Sequence, residues 1–117
     1  MRTLLSGCFT VIASCCAFAA VACETPAMVA IPDGKTATEP QMLAAQAEVK
    51  AYVTAMNEYV ACIDGEMEAK GDNAPEQYKA LMITRHNAAV TEIETVAAAF
   101  NDQIKAYRTA NPKPASN

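Results

Sequence analysis

The chain has 117 residues, a formal net charge of −4 at pH 7, one histidine and no tryptophan, and 52% of its residues are hydrophobic. That length suits one small domain. An acidic balance with scattered basic residues argues against nucleic acid or an anionic membrane surface as partner, and its plain consequence is solubility.

The chain opens with MRTLLSGCFTVIASCCAFAAVA: one positive charge at Arg2, an apolar middle, and Ala20-Val21-Ala22 at the end. This is the layout of a secretory signal peptide, with small residues ahead of the cut. The apolar span is nearly long enough to serve instead as an uncleaved membrane anchor, but the small-residue ending favours removal. Cleavage after Ala22 would discard Cys8, Cys15 and Cys16. It would leave Cys23 to Asn117, 95 residues with a formal charge of −5.

The segment 23–37, CETPAMVAIPDGKTA, holds two prolines and a Pro32-Asp33-Gly34 turn signal, so it is expected to be extended and irregular. A helix is expected over about 39–70. Thr38 supplies a capping hydroxyl, Gln41 can reach back to the cap N–H, and Pro40 is tolerated in a first turn. Met42, Val49, Met56 and Ile63 recur every seven residues, with Tyr52, Tyr59, Val53, Val60 and Met67 alongside, which is a broad apolar stripe of helical period. Lys70 suits the negative end of the helix dipole, and Gly71 is a natural terminator.

A second helix is expected over about 74–110, because Asn73-Ala74-Pro75-Glu76 repeats the first helix's start signal. Its stripe runs Met82, His86, Ala89, Ile93, Val96, Phe100 and Tyr107, flanked by Ile83, Val90 and Ile104. Pro112 ends it, and the tail 112–117 carries nothing that would order it. The link Gly71-Asp72-Asn73 is so short that the helices must run antiparallel. The expected fold is therefore all-α: an antiparallel, coiled-coil-like two-helix hairpin with an extended N-terminal segment. The stripes are wider than one seam needs. The N-terminal segment, a client, or a second copy completing a four-helix bundle would have to cover the excess.

Two cysteines, Cys23 and Cys62, survive cleavage, and an even count in an exported chain favours a disulfide. Cys62 lies about 36 Å along the first helix from Thr38. The leader can extend to about 50 Å, so it can run back along the hairpin. It would then lay Met28, Val29 and Ile31 on the apolar seam. The alternative is a lipoprotein: Ala20-Val21-Ala22-Cys23 resembles a lipobox, whose cysteine is acylated, but has alanine at Ala20 where that pattern usually has leucine. Acylation at Cys23 would leave Cys62 an unpaired thiol in an oxidising compartment, which counts against it.

Chemistry-bearing constellations are sparse. Met82 and His86, spaced i, i+4, share a helix face and with Met56 or Met67 would suit Cu(I) or haem. Core-filling methionines beside a half-buried histidine are the simpler reading. Asp64, Glu66, Glu68 and Asp72 make the first helix's end acidic, but residues two apart point to opposite sides, so solvated surface is expected. Tyr52, Tyr59, Tyr78 and Tyr107 read as seam residues, with no basic groove to make them stacking platforms. No phosphate loop, zinc-protease motif or nucleophile elbow occurs, so the expectation is a non-enzyme without a cofactor.

From CETP through IPDGKTATEPQMLAAQAEVKAY to LMITRHNAAV the chain resembles small exported proteobacterial proteins of uncharacterised role. The resemblance implies a bacterial envelope address and carries no functional residues. In architecture alone it is similar to the periplasmic holdase chaperones Spy and CpxP, whose Leu-Thr-x-x-Gln repeats it lacks. The expected function is a periplasmic or secreted interaction or scaffold protein, chaperone-like in one version, pairing with itself or with an envelope protein. The alternatives are an outer-membrane lipoprotein acylated at Cys23 and a metal- or haem-binding bundle.

Overall fold

The computed structural model describes residues 22–113. The expected signal peptide up to residue 21, with Cys8, Cys15 and Cys16, and the last residues of the expected tail lie outside them. Two helices account for the regular structure: α1, Glu39–Lys70, and α2, Glu76–Ala110. They pack against each other as an antiparallel hairpin, and there is no strand among the described residues. At 1.5 Å per residue each helix is about 50 Å long.

The ends of α1 are set locally. Thr38 sits in an extended conformation and its hydroxyl accepts the Gln41 N–H at 3.4 Å, while Gln41 Oε1 accepts the Thr38 N–H at 2.8 Å. This reciprocal box satisfies two donors that a helix start otherwise leaves orphaned. At the other end Gly71 turns to φ 67°, and its N–H reaches the carbonyls of Met67 at 3.2 Å and Glu68 at 3.1 Å. A side chain there would be strained, so glycine is the residue that fits.

The start of α2 differs from expectation. Asn73 does not cap it; the helix begins at Glu76, with Pro75 in the cap position and no side-chain cap hydrogen bond. A residue before proline is biased away from the helical region. Ala74 instead joins the turn after Gly71, its N–H on the Gly71 carbonyl at 3.2 Å and its methyl buried. The link is thus Gly71 to Pro75, still short enough to force the hairpin. Lys79 ties it down, its Nζ donating to the Asp72 carbonyl at 3.0 Å and to Glu76 Oε1 at 3.1 Å.

The core is the seam that the heptad spacing outlines. Met42, Ala45, Val49, Tyr52, Met56, Tyr59 and Ile63 from α1 meet Met82, Ala89, Val96 and Phe100 from α2. Ile63 is 0% exposed and Met82 1%. Val29, Ile31 and Ala37 of the N-terminal segment pack against this seam, so the segment is a strap laid along the hairpin. Met28 does not join them: it is 77% exposed.

The strap is anchored at its far end by Gly34. The Gly34 N–H donates to Gln103 Oε1 at 2.8 Å, and the backbone lies so close to α2 that a Cβ there would collide with the Gln103 carbonyl. Beside it, the Asp33 carbonyl accepts the N–H groups of Thr36 at 3.2 Å and Ala37 at 2.9 Å, reversing the chain into α1.

Candidate functional site

The near end of the strap is a covalent clasp. Cys23 and Cys62 are joined in a disulfide, 39 residues apart in sequence with their Cα atoms 5.8 Å apart. Cys62 lies on the outer side of α1, whereas Cys23 is buried at 7% exposure. Two further groups fix Cys23. Its N–H donates to Glu66 Oε1 at 3.3 Å, and its carbonyl accepts from Arg85 Nη2 at 3.0 Å. Glu66 is one helical turn beyond Cys62, so sulfur and carboxylate share a face of α1.

Arg85 organises this end of the hairpin. Besides the Cys23 carbonyl, its Nε donates to the Tyr59 hydroxyl at 3.1 Å and its Nη1 faces Met82 Sδ at 3.7 Å. The guanidinium carbon lies 5.5 Å from the Tyr59 ring centroid, within cation–π range. One side chain thus ties strap, α1 and α2 together. The Tyr59 phenol is held below its ordinary acidity constant, chiefly by hydrogen bonding from the Thr25 side chain; burial opposes this, and Arg85 reinforces it. Tyr52 is shifted the other way, first by burial and then by the negative charge of Glu92.

Between strap and helices runs an open groove of about 330 Å³, lined by residues that include Thr25, Met28, Tyr52, Met56, Arg85 and Glu92. Its volume is at the small end of ligand-sized sites, roughly 300–1,000 Å³.

The sequence-derived Met/His cluster is not assembled. Met82 is turned into the core, whereas His86 points to the hairpin flank and its Nδ1 meets Asp64 Oδ1 at 2.8 Å. The two side chains engage different partners although they share a helix face. Asp64 and Glu66 also do more than solvate a surface: one engages His86, the other the Cys23 backbone. The tyrosines lie where the seam reading puts them. Tyr52 and Tyr59 are buried, and Tyr78 and Tyr107 are packed half-buried against the core. Lys70 caps the Tyr78 ring at 5.7 Å from its centroid.

Sequence reasoning missed Arg85 and the role of Glu66. The signals were present: Arg85 is a cation at the edge of an apolar stripe, and Glu66 stands four residues after the cysteine that the disulfide argument had singled out. No helix among the described residues is long and apolar enough to cross a membrane. No known protein family, curated protein or solved structure matches the chain.

Proposed function

We propose that the chain is an exported, non-catalytic interaction protein, a disulfide-clasped helical hairpin that binds through the flank its strap leaves open. The observation that carries this reading is the asymmetry of the hairpin. The strap occupies the side marked by Tyr52, Cys62, Arg85 and Gln103. The helical repeat of 3.6 residues puts Val53, Val60, Ile83, Val90 and Ile93 on the other side. Val53, Val60 and Ile93 are only half-buried there, and Ile83 and Val90 are 50% and 37% exposed. A second copy or an apolar client would cover that flank, and its exposed area is the resource a scaffold or a holdase would use.

Export is supported by the signal-like opening and by the disulfide, a bond that persists in oxidising compartments. Cleavage after Ala22 would convert the Cys23 N–H into an ammonium facing the Glu66 carboxylate. A sulfur bonded to Cys62 has no valence left for a thioether, so the clasp and lipidation of the Cys23 sulfur are mutually exclusive. Sedimentation over a range of concentrations, with a client-aggregation assay beside it, tests the reading. Association or client protection that is lost in Ile83→Glu/Val90→Glu, at unchanged helicity, supports it. A monomer at every concentration that protects no client contradicts it.

A further inference from the structure

The clasp also contains the makings of a metal site. The Sγ atoms of Cys23 and Cys62 and a carboxylate oxygen of Glu66 all lie within 4.8 Å of one another. Around a tetrahedral Zn²⁺ with bonds of about 2.0–2.3 Å, neighbouring donors sit about 3.3–3.8 Å apart. The Cα separation of 5.8 Å leaves both sulfurs able to reach such a centre once the bond between them is broken. The fourth donor is the Cys23 nitrogen, 3.3 Å from Glu66 Oε1, a tetrahedral edge already in place.

As an amide that nitrogen does not bind metal. As the α-amine of a chain beginning at Cys23 it does, and together with its own Sγ it closes a five-membered chelate ring. We propose that the reduced, processed protein holds one thiophilic divalent cation, Zn²⁺ being the best match, through the α-amine and Sγ of Cys23, Sγ of Cys62 and Glu66. A dithiol is the reductant: it breaks the Cys23–Cys62 bond, leaves as its own disulfide, and returns a thiol to each cysteine. The cation then displaces both thiol protons and the extra proton of the α-ammonium.

Charge supports the assignment. Two thiolates and a carboxylate against a divalent cation leave one negative charge, and Arg85, donating to the Cys23 carbonyl at 3.0 Å, supplies the compensating positive one. The site is also preorganised. Cys62 and Glu66 are fixed one turn apart on α1, and Arg85 holds the Cys23 backbone in place whatever its sulfur is doing. In this state the cation replaces the covalent tie, so the strap stays pinned in both redox forms.

This inference rests on cleavage after Ala22, so that premise is read separately, by N-terminal sequencing of the exported protein. The site itself is tested on the chain 23–117 with a free α-amine. The protein is reduced by a dithiol without oxygen, freed of reductant, and titrated with Co²⁺ and then Zn²⁺. The expected result is one Co²⁺ per reduced chain, with a thiolate-to-cobalt charge-transfer band and the intense visible bands of tetrahedral coordination, bleached by Zn²⁺. The oxidised chain shows none of this. Glu66→Gln, and separately acetylation of the α-amine, each weaken Zn²⁺ binding at least about tenfold, whereas Asp64→Asn leaves it unchanged. A reduced chain giving no tetrahedral Co²⁺ spectrum overturns the site, as does an affinity indifferent to both Glu66→Gln and acetylation.

Discussion

Replacing both cysteines, in Cys23→Ser/Cys62→Ser, removes the clasp without leaving an orphan thiol. The bridge closes a loop between residues 39 positions apart. In the chain-entropy account a loop of that size restricts the unfolded chain by an amount worth about 4 kcal/mol. Small domains are stable by roughly 5–15 kcal/mol, so the loss is a large share of the whole. Urea unfolding followed by helical circular dichroism reads it out. With a slope of about 2 kcal/mol per molar, the midpoint falls by about 2 M. The far anchor at Gly34 and the packing of Val29 and Ile31 do not involve sulfur, so the folded hairpin is expected to keep its helicity. If the variant and the oxidised protein unfold within about 0.3 M of each other at equal slope, the clasp is not a stabilising device and the reasoning fails.

Gly34→Ala is expected to cost about 1–3 kcal/mol, because the new methyl group meets the α2 backbone, which cannot step aside as a flexible side chain would; a thermal midpoint equal to the parent's would refute this. Arg85→Ala strips charged hydrogen bonds from Tyr59 and Cys23 and should lose about 2 kcal/mol. Lys79→Ala, on an exposed pair, should change stability by under about 1 kcal/mol in the same urea assay. Alkaline titration of phenolate absorbance should show Tyr59 ionising before Tyr52, with Tyr59→Phe deleting the earlier step. The shifts also set signs of stability. Tyr59, lowered from 10.0, favours the fold above that ordinary value and loses its contribution as pH falls through its folded constant. Tyr52, raised from 10.0, favours the fold below that value and loses its contribution as pH rises through its folded constant.

The hairpin was legible because its signals are local and repeat. A seven-residue spacing of large apolar side chains, the Thr38–Gln41 box and Gly71 each follow from backbone geometry within a few residues. The Cys23–Cys62 pairing was legible for a different reason: the expected cleavage leaves two cysteines and a leader long enough to join them, whereas the alternative, acylation of Cys23, leaves Cys62 without a partner. Asn73 misled because a start signal competes with tertiary structure, and the buried Ala74 methyl settles the link in favour of a turn. Met28 misled because hydrophobicity does not say which side of an extended strap faces the helices. Gly34 reads as a turn residue in sequence; that it makes room for α2 becomes visible only when Gln103, 69 residues on, is brought beside it. Arg85 poses the same difficulty, since its partners Tyr59 and Cys23 come from α1 and the strap.

The central claim is that a sulfur bridge pins the strap to the C-terminal third of α1. Mass analysis of the protein recovered from its natural compartment, digested without reduction, tests it most directly. The expected result is a peptide beginning at Cys23, free of acyl chains and cross-linked to the peptide that contains Cys62, with the intact chain lighter than its reduced form by two hydrogen atoms. Two free thiols, or fatty acyl groups on Cys23, would contradict it.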